Sequence, residues 1–255
     1  MKKISILILV LFIYSITSNA QNFQWAKKFG GIGYDGILEH VFDASGNLFV
    51  LAYFSDTIGF DTGSGITELI SSGETDIYVN KFDVLGNLIW AKKMGGTGAD
   101  MAFGLNLDPF GNVLISGMFN GTADFDPGPS THHLISNGSS DIFLCKLDGA
   151  GNFVWANAMG GTYDDVGNFI KTDQNGDVFM IGTFWGAIDF DPSAGTLILD
   201  TYGFDDIFVC KFTASGSLQW AKSVGGVDHD NGAGIVLDDS SNVFITGYFG
   251  GTVDF

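Results

Sequence analysis

The sequence has 255 residues, of which 29 are Asp or Glu and 11 are Lys or Arg, for a net charge of −18. Every basic residue is lysine, so the chain offers no planar guanidinium fork to phosphate or guanine, and a surface this acidic repels polyanions. Nucleic acid and anionic membrane surfaces are excluded as partners, which leaves divalent cations, neutral glycans and proteins.

The first element in chain order is a leader. Lys2 and Lys3 precede an apolar run from Ile4 to Ile13, and Ser18-Asn19-Ala20 puts small residues where a signal peptidase reads. Residues 1–20 are predicted to be a signal peptide and residues 21–255 the folded domain, with the protein secreted or held at the cell surface. The apolar run is shorter than the ~18 residues a span requires, and no cysteine lies near the cleavage point. No membrane span is expected after leader removal, which takes the net charge from −18 to −20.

A repeat follows. Trp25, Trp90, Trp155 and Trp220 lie 65 residues apart without slippage, each followed by Ala and, four residues later, by Gly-Gly. Such a period signals a solenoid, propeller or array. In the second repeat, Ala102–Leu107 and Val113–Phe119 flank Asp108-Pro109-Phe110-Gly111-Asn112, a turn whose Gly and Asn accept positive φ, and form one hairpin. After a long connection from Asn120 to Ser140, Asp141–Leu147 and the next Trp strand flank Asp148-Gly149-Ala150-Gly151-Asn152 and form a second. The other repeats carry the same turns, for example Asp43-Ala44-Ser45-Gly46-Asn47 and Asp83-Val84-Leu85-Gly86-Asn87.

Two hairpins make four antiparallel strands. One such sheet cannot hide both apolar faces, but units stacked face to face can, and radial stacking makes a β-propeller. The predicted fold class is therefore all-β, a propeller of four-stranded antiparallel blades, with repeats starting near 23, 88, 153 and 218. The Trp strand is expected to be the outermost of each blade, with its indole packed between blades and the lysines at 27–28 and 92–93 protecting the edge. Cys145 and Cys210 occupy the same strand position in neighbouring repeats, too far apart for a disulfide, and are expected to be buried thiols.

The 233 residues from Phe23 to Phe255 make about 3.6 repeats, whereas a closed propeller has roughly four to eight blades. The sequence is therefore expected to be a fragment whose ring is completed by further blades of a longer chain, the alternative being closure by self-association.

The order Trp-Ala-Lys-x-x-Gly-Gly, Asp, Asp-x-x-Gly-Asn and Gly-x-Phe-x-Gly-Thr-x-Asp-Phe resembles the bacterial secreted β-propeller repeat, the SBBP (seven-bladed β-propeller) repeat, over essentially Phe23 to Phe255. The resemblance implies an exported or surface propeller of the kind common in Bacteroidota, mostly without assigned activity. The adhesion-like modules and C-terminal sorting domain frequent in such proteins are not seen in this sequence.

Candidate chemistry collects on the disc face opposite the Gly-Asn turns. Asp35, Asp100, Asp165 and Asp230 recur ten residues after each Trp; they read as caps for backbone amides rather than as a catalytic set. Asp124 with Asp126, and Asp189 with Asp191, sit two apart, so an extended backbone points both side chains the same way. These hard oxygens suit calcium. The same Asp-Phe-Asp-Pro also suits a strand end with a capped turn and Phe60, Phe125, Phe190 and Phe255 as buried anchors. No metalloprotease, nucleophile-elbow or Walker pattern is present, and no other cofactor is implied. His229, between Asp228 and Asp230, departs from the repeat. The expected function is a non-catalytic exported propeller that binds a protein or glycan or serves a structural role; the alternative is an exported polysaccharide-acting enzyme, a glycoside hydrolase or lyase.

Overall fold

In a computed structural model, residues 25–28, 30–62 and 65–254 are described. The predicted signal peptide and Phe255 lie outside the described residues. Each Asp-x-x-Gly-Asn turn closes by one chemistry. At Asp43, Oδ1 accepts the amides of Ser45 and Asn47 while Asn47 Nδ2 donates to Oδ2 at 2.8 Å. Gly46 takes φ of 82°, which a side chain would resist. Hairpins set in this way build the blades.

The first blade contains β1 (Asp35–Phe42), β2 (Leu48–Phe54), β5 (Asp76–Phe82) and β6 (Leu88–Gly96), in that order across the sheet; β3 (Thr57–Asp61) and β4 (Ile66–Ile70) form a small hairpin between β2 and β5. The second blade is β7 (Met101–Leu107), β8 (Val113–Asp124), β9 (His133–Leu147) and β10 (Phe153–Met159). The third is β11 (Val166–Thr172), β12 (Val178–Trp185), β15 (Asp205–Phe212) and β16 (Leu218–Gly226), with β13 (Ile188–Asp189) and β14 (Ile198–Leu199) as the small hairpin. A fourth begins with β17 (Asn231–Leu237) and β18 (Val243–Tyr248); β19 (Val253–Asp254) pairs back onto β16. The long connection expected between second and third strands is thus a hairpin extension: β8 and β9 run on past the blade and pair Asp124 with His133.

Both faces of the second blade's sheet are buried, as the alternation along β9 shows. Phe143 and Cys145 pack with Leu51 and Val79 of the first blade, whereas Ile142 and Leu144 pack with Ile170 and Met180 of the third. The first strands of the four blades meet along one axis, where Val41, Leu105, Ile170 and Ile235 face a shared groove. Both cysteines are fully buried free thiols, and burial pushes each thiol well above its usual range.

The tryptophans join one blade to the next. The indole Nε1 of Trp25, Trp90 and Trp155 donates to Val84 O, Gly149 O and Ala214 O, at 3.3, 3.4 and 3.2 Å, in the following blade's second turn. The rings lie on Gly86, Gly151 and Gly216, where a Cβ would approach the indole to 2.7, 3.2 and 2.9 Å. Trp90 and Trp220 also meet Phe49 and Phe179 edge to face. The Gly-Gly pairs have the same kind of cause. A Cβ on Gly96 would fall 2.0 Å from Thr122 O of the next blade, where β6 pairs with β8. The edge lysines differ from expectation, since Lys93 turns inward onto the buried Asp76 at 2.9 Å.

Candidate functional site

Two aspartate columns lie at every blade junction on the face away from the Asp-x-x-Gly-Asn turns. In the first, Asp100 accepts Gly96 N at 2.6 Å and Asn120 N at 3.2 Å. Asp165 accepts Gly161 N and Trp185 N, both at 2.9 Å. Asp230 accepts Gly226 N at 2.7 Å and Gly250 N at 2.8 Å, and Asp35 accepts Gly31 N at 2.7 Å. These carboxyls tie the exit of one blade to the second strand of the next.

Asp76, Asp141 and Asp206 form the second column, at the same 65-residue period, and the sequence reading missed it. Each is buried, accepts one amide through Oδ2 (from Ser72, Asn137 and Tyr202), and leaves Oδ1 without a partner. A Cβ on Gly95 would lie 2.7 Å from Asp76 Cγ and 2.9 Å from Asp100 Oδ2, so the two columns converge on one glycine. Burial pushes Asp100 and Asp165 up to about 7 and Asp141 to about 6, with Asp76 and Asp141 as like-charged neighbours of the first two.

Strand lysines on the opposite face were also missed. Lys81, Lys146 and Lys211 reach Asp43, Asp108 and Asp177 at 3.6, 2.8 and 2.9 Å, and Lys146 also donates to Ala214 O of the next blade at 3.1 Å. Burial alone would raise Asp108, but its bonds from Lys146 and Asn112 outweigh that and hold it below its usual value.

The four candidate calcium ligands cap turns. Asp124 Oδ1 accepts the amides of Asp126 and His132 at 3.0 and 2.8 Å, and Asp126 Oδ1 accepts Gly128 N at 2.8 Å. Asp189 Oδ1 accepts Asp191 N and Leu197 N, and Asp191 Oδ1 accepts Ser193 N. Phe60, Phe125 and Phe190 are buried beside these turns. Among the described residues, no three His, Cys, Asp or Glu side chains converge as a metal set.

The third blade carries a cluster of side chains that the equivalent positions of the other blades lack. Tyr163 stacks on Trp185 with centroids 4.5 Å apart and planes 20° apart; Trp185 meets Phe204 at 6.1 Å, and Phe204 stacks on His229 at 4.5 Å. These rings stay open to solvent, with Tyr163 47%, Trp185 36% and Phe204 45% exposed. Four different segments supply them: the loop into β11, the end of β12, the entry to β15 and the loop into β17. In the other repeats the Trp185 position is Ser55, Asn120 or Gly250, and the Phe204 position is Glu74 or Ser139.

A pocket of about 330 Å³ lies against this cluster, bordered by Asp164, Val166, Asn168, Thr183, Trp185, Asp205, His229 and Asn231. Ser139 Oγ and Ser140 N both donate to Asp164 Oδ1 and hold its carboxyl below the usual range. His229 Nδ1 contacts Asp205 Oδ1. Asn168 Nδ2 donates to Gly232 O at 3.0 Å. Thr183 is 8% exposed and its Oγ1 has no partner. The sequence signal was available, because Trp185 is the one of 5 tryptophans outside the 65-residue register.

Radially arranged four-stranded sheets, cross-tied by indoles and aspartates and packed face to face, define an all-β propeller repeat chain. No family model matches it. The chain is 22% identical over 259 residues to an uncharacterized WD repeat-containing protein, L264, of Acanthamoeba polyphaga mimivirus, covering 88% of this chain and 19% of that protein. It is 24% identical over 208 residues to the regulatory protein FlaEY of Caulobacter vibrioides, covering 80% of this chain and 21% of that protein. The chain thus spans about a fifth of the length of these relatives. The WD-repeat likeness agrees with the propeller architecture.

Proposed function

We propose that this chain is a non-catalytic, exported β-propeller module that holds a ligand on the disc face bearing the Tyr163–Trp185–Phe204–His229 cluster. The observation that carries this reading is the placement of non-repeating side chains: Tyr163, Trp185, Phe204 and His229 gather at one end of the third blade, on one face, beside one pocket. An array of like units gives every junction the same surroundings, so a single ligand site has to arise from departures. Exposed aromatic surface beside polar groups is costly to keep unless something covers it. Export rests on the pattern of Lys2, Lys3, Ile4–Ile13 and Ser18-Asn19-Ala20, and the motif order supports assignment to the secreted SBBP-type repeat. The repeated aspartates are spent on backbone amides, which favours binding over acid–base catalysis. Among the described residues no helix is long and apolar enough to cross a membrane.

The test is binding to immobilised glycan and protein arrays by the chain and by Trp185→Ala and Phe204→Ala variants. Binding lost in both, with melting temperature retained, supports the reading. Binding indifferent to both variants, or polymer turnover abolished by Asp164→Asn, overturns it.

A further inference from the structure

We infer that the Trp185 pocket takes a neutral pyranose residue of a glycan, an inference that rests on the binding-module reading above. Three features of the pocket select that chemistry.

The first is size. About 330 Å³ is at the small end of ligand pockets and suits a sugar ring with its substituents rather than an element of folded polypeptide. The second is the pairing of an apolar wall with hydrogen-bonding groups. The part of the indole of Trp185 left open by Tyr163 offers a surface for ring C–H groups, while Asp164, Asp205 and Asn168 border the same space. Asp164 is held in place: Ser139 Oγ and Ser140 N both donate to its Oδ1, and its carboxylate borders the pocket as an acceptor.

The third feature is what the charges and rings exclude. Asp164 and Asp205, on a chain of net charge −18, repel uronate or sulfated sugars. A cation would find one face of Trp185 already covered by Tyr163 and one face of His229 by Phe204. Among the described residues no other blade reproduces this set, so one site per chain is expected.

The experiment titrates the full chain with neutral cello-, xylo-, manno- and malto-oligosaccharides by calorimetry and tryptophan fluorescence. Galacturonate oligomers and tri-lysine serve as anionic and cationic arms. We expect at least one neutral series to bind once per chain, with affinity little changed at about 0.5 M NaCl. Trp185→Ala and Asp164→Asn should each weaken it about tenfold or more. Trp185→Phe, which keeps an aromatic wall, should retain part of the affinity and guards against misfolding of the alanine variant.

The inference is overturned if no neutral series binds up to about 10 mM, if only tri-lysine or galacturonate binds, or if binding survives both Trp185→Ala and Asp164→Asn. A protein ligand from the arrays that is lost with Trp185→Ala, with no saccharide bound, would sink the glycan assignment alone. Absence of any ligand would sink the binding-module reading with it.

Discussion

Acidification from pH 7.5 to 5 should stabilise this protein, which is unusual for a chain rich in aspartate. Burial pushes Asp100 and Asp165 from an ordinary 3.8 up to about 7. Between those values the folded chain holds a proton that the unfolded chain has released. Stability therefore falls as pH rises through this window, at up to about 1.4 kcal/mol per pH unit per group. Over pH 5 to 7.5 each group contributes on the order of 2 kcal/mol, and a domain of this size shifts about 2–4 °C per kcal/mol, so the two together raise the melting temperature by roughly 10 °C. The groups facing Asp100 are Asp76 and Lys93, and those facing Asp165 are Asp141 and Asp164; Asp141, itself raised to about 6, acts in the same direction. Turn aspartates act in the opposite sense, because Asp43, Asp83, Asp108, Asp148 and Asp238 are all held low, and their stabilisation is lost as pH falls below about 4. A maximum near pH 5 results. Thermal melts by circular dichroism across pH 4 to 8, in about 0.5 M NaCl to screen general charge repulsion, measure it. An Asp100→Asn/Asp165→Asn double variant should be less stable at low pH, since a carboxamide cannot accept both backbone N–H groups, and its slope should be flatter. A melting temperature flat or rising from pH 5 to 7.5, or an unchanged slope in the double variant, would refute the reasoning.

Five further outcomes follow from the packing and the turn hydrogen bonds. Trp90→Ala should cost about 3 kcal/mol in urea unfolding, and Gly151→Ala, at φ of 79° beneath the Trp90 indole, about 1–3 kcal/mol. Lys146→Met leaves the buried Asp108 carboxylate unpaired and should cost about 3–5 kcal/mol; Lys146→Met combined with Asp108→Asn should recover part of that. Asn80→Cys should stabilise by about 1–2 kcal/mol, because Asn80 is fully buried with both amide atoms unpartnered at the position filled by Cys145 and Cys210 in the next two blades. Calcium or EDTA should leave the melting temperature unmoved, since Asp124, Asp126, Asp189 and Asp191 already serve the backbone amides of their own turns; a clear calcium-dependent rise would reinstate these residues as ligands.

The blade was legible in the sequence because its rules are local and are stated several times. Asp-x-x-Gly-Asn dictates a turn from within five residues, and alternating burial along strands such as Ile142–Leu147 needs only the period of a strand. The pairing of Asp76 with Asp100 was not legible, because it depends on how the exit of one blade meets the next strand pair, and no local pattern encodes that distance. The same limit hid the inward turn of Lys93 and the Lys146–Asp108 pair. The Trp185 pocket was hidden for a different reason. Reading for repeats weights what recurs, and residues held at every junction, such as Trp90 or Asp100, are those that each junction needs in order to pack. Ring symmetry then works against any single ligand site, which must be assembled from residues such as Trp185, Phe204 and His229 that break the register. Those exceptions carry little weight in a repeat consensus, yet each retains exposed ring surface that packing alone does not require. In a propeller the search for a site therefore starts by subtracting the repeat, and here the remainder is one end of the third blade, where Tyr163, Trp185, Phe204 and His229 meet.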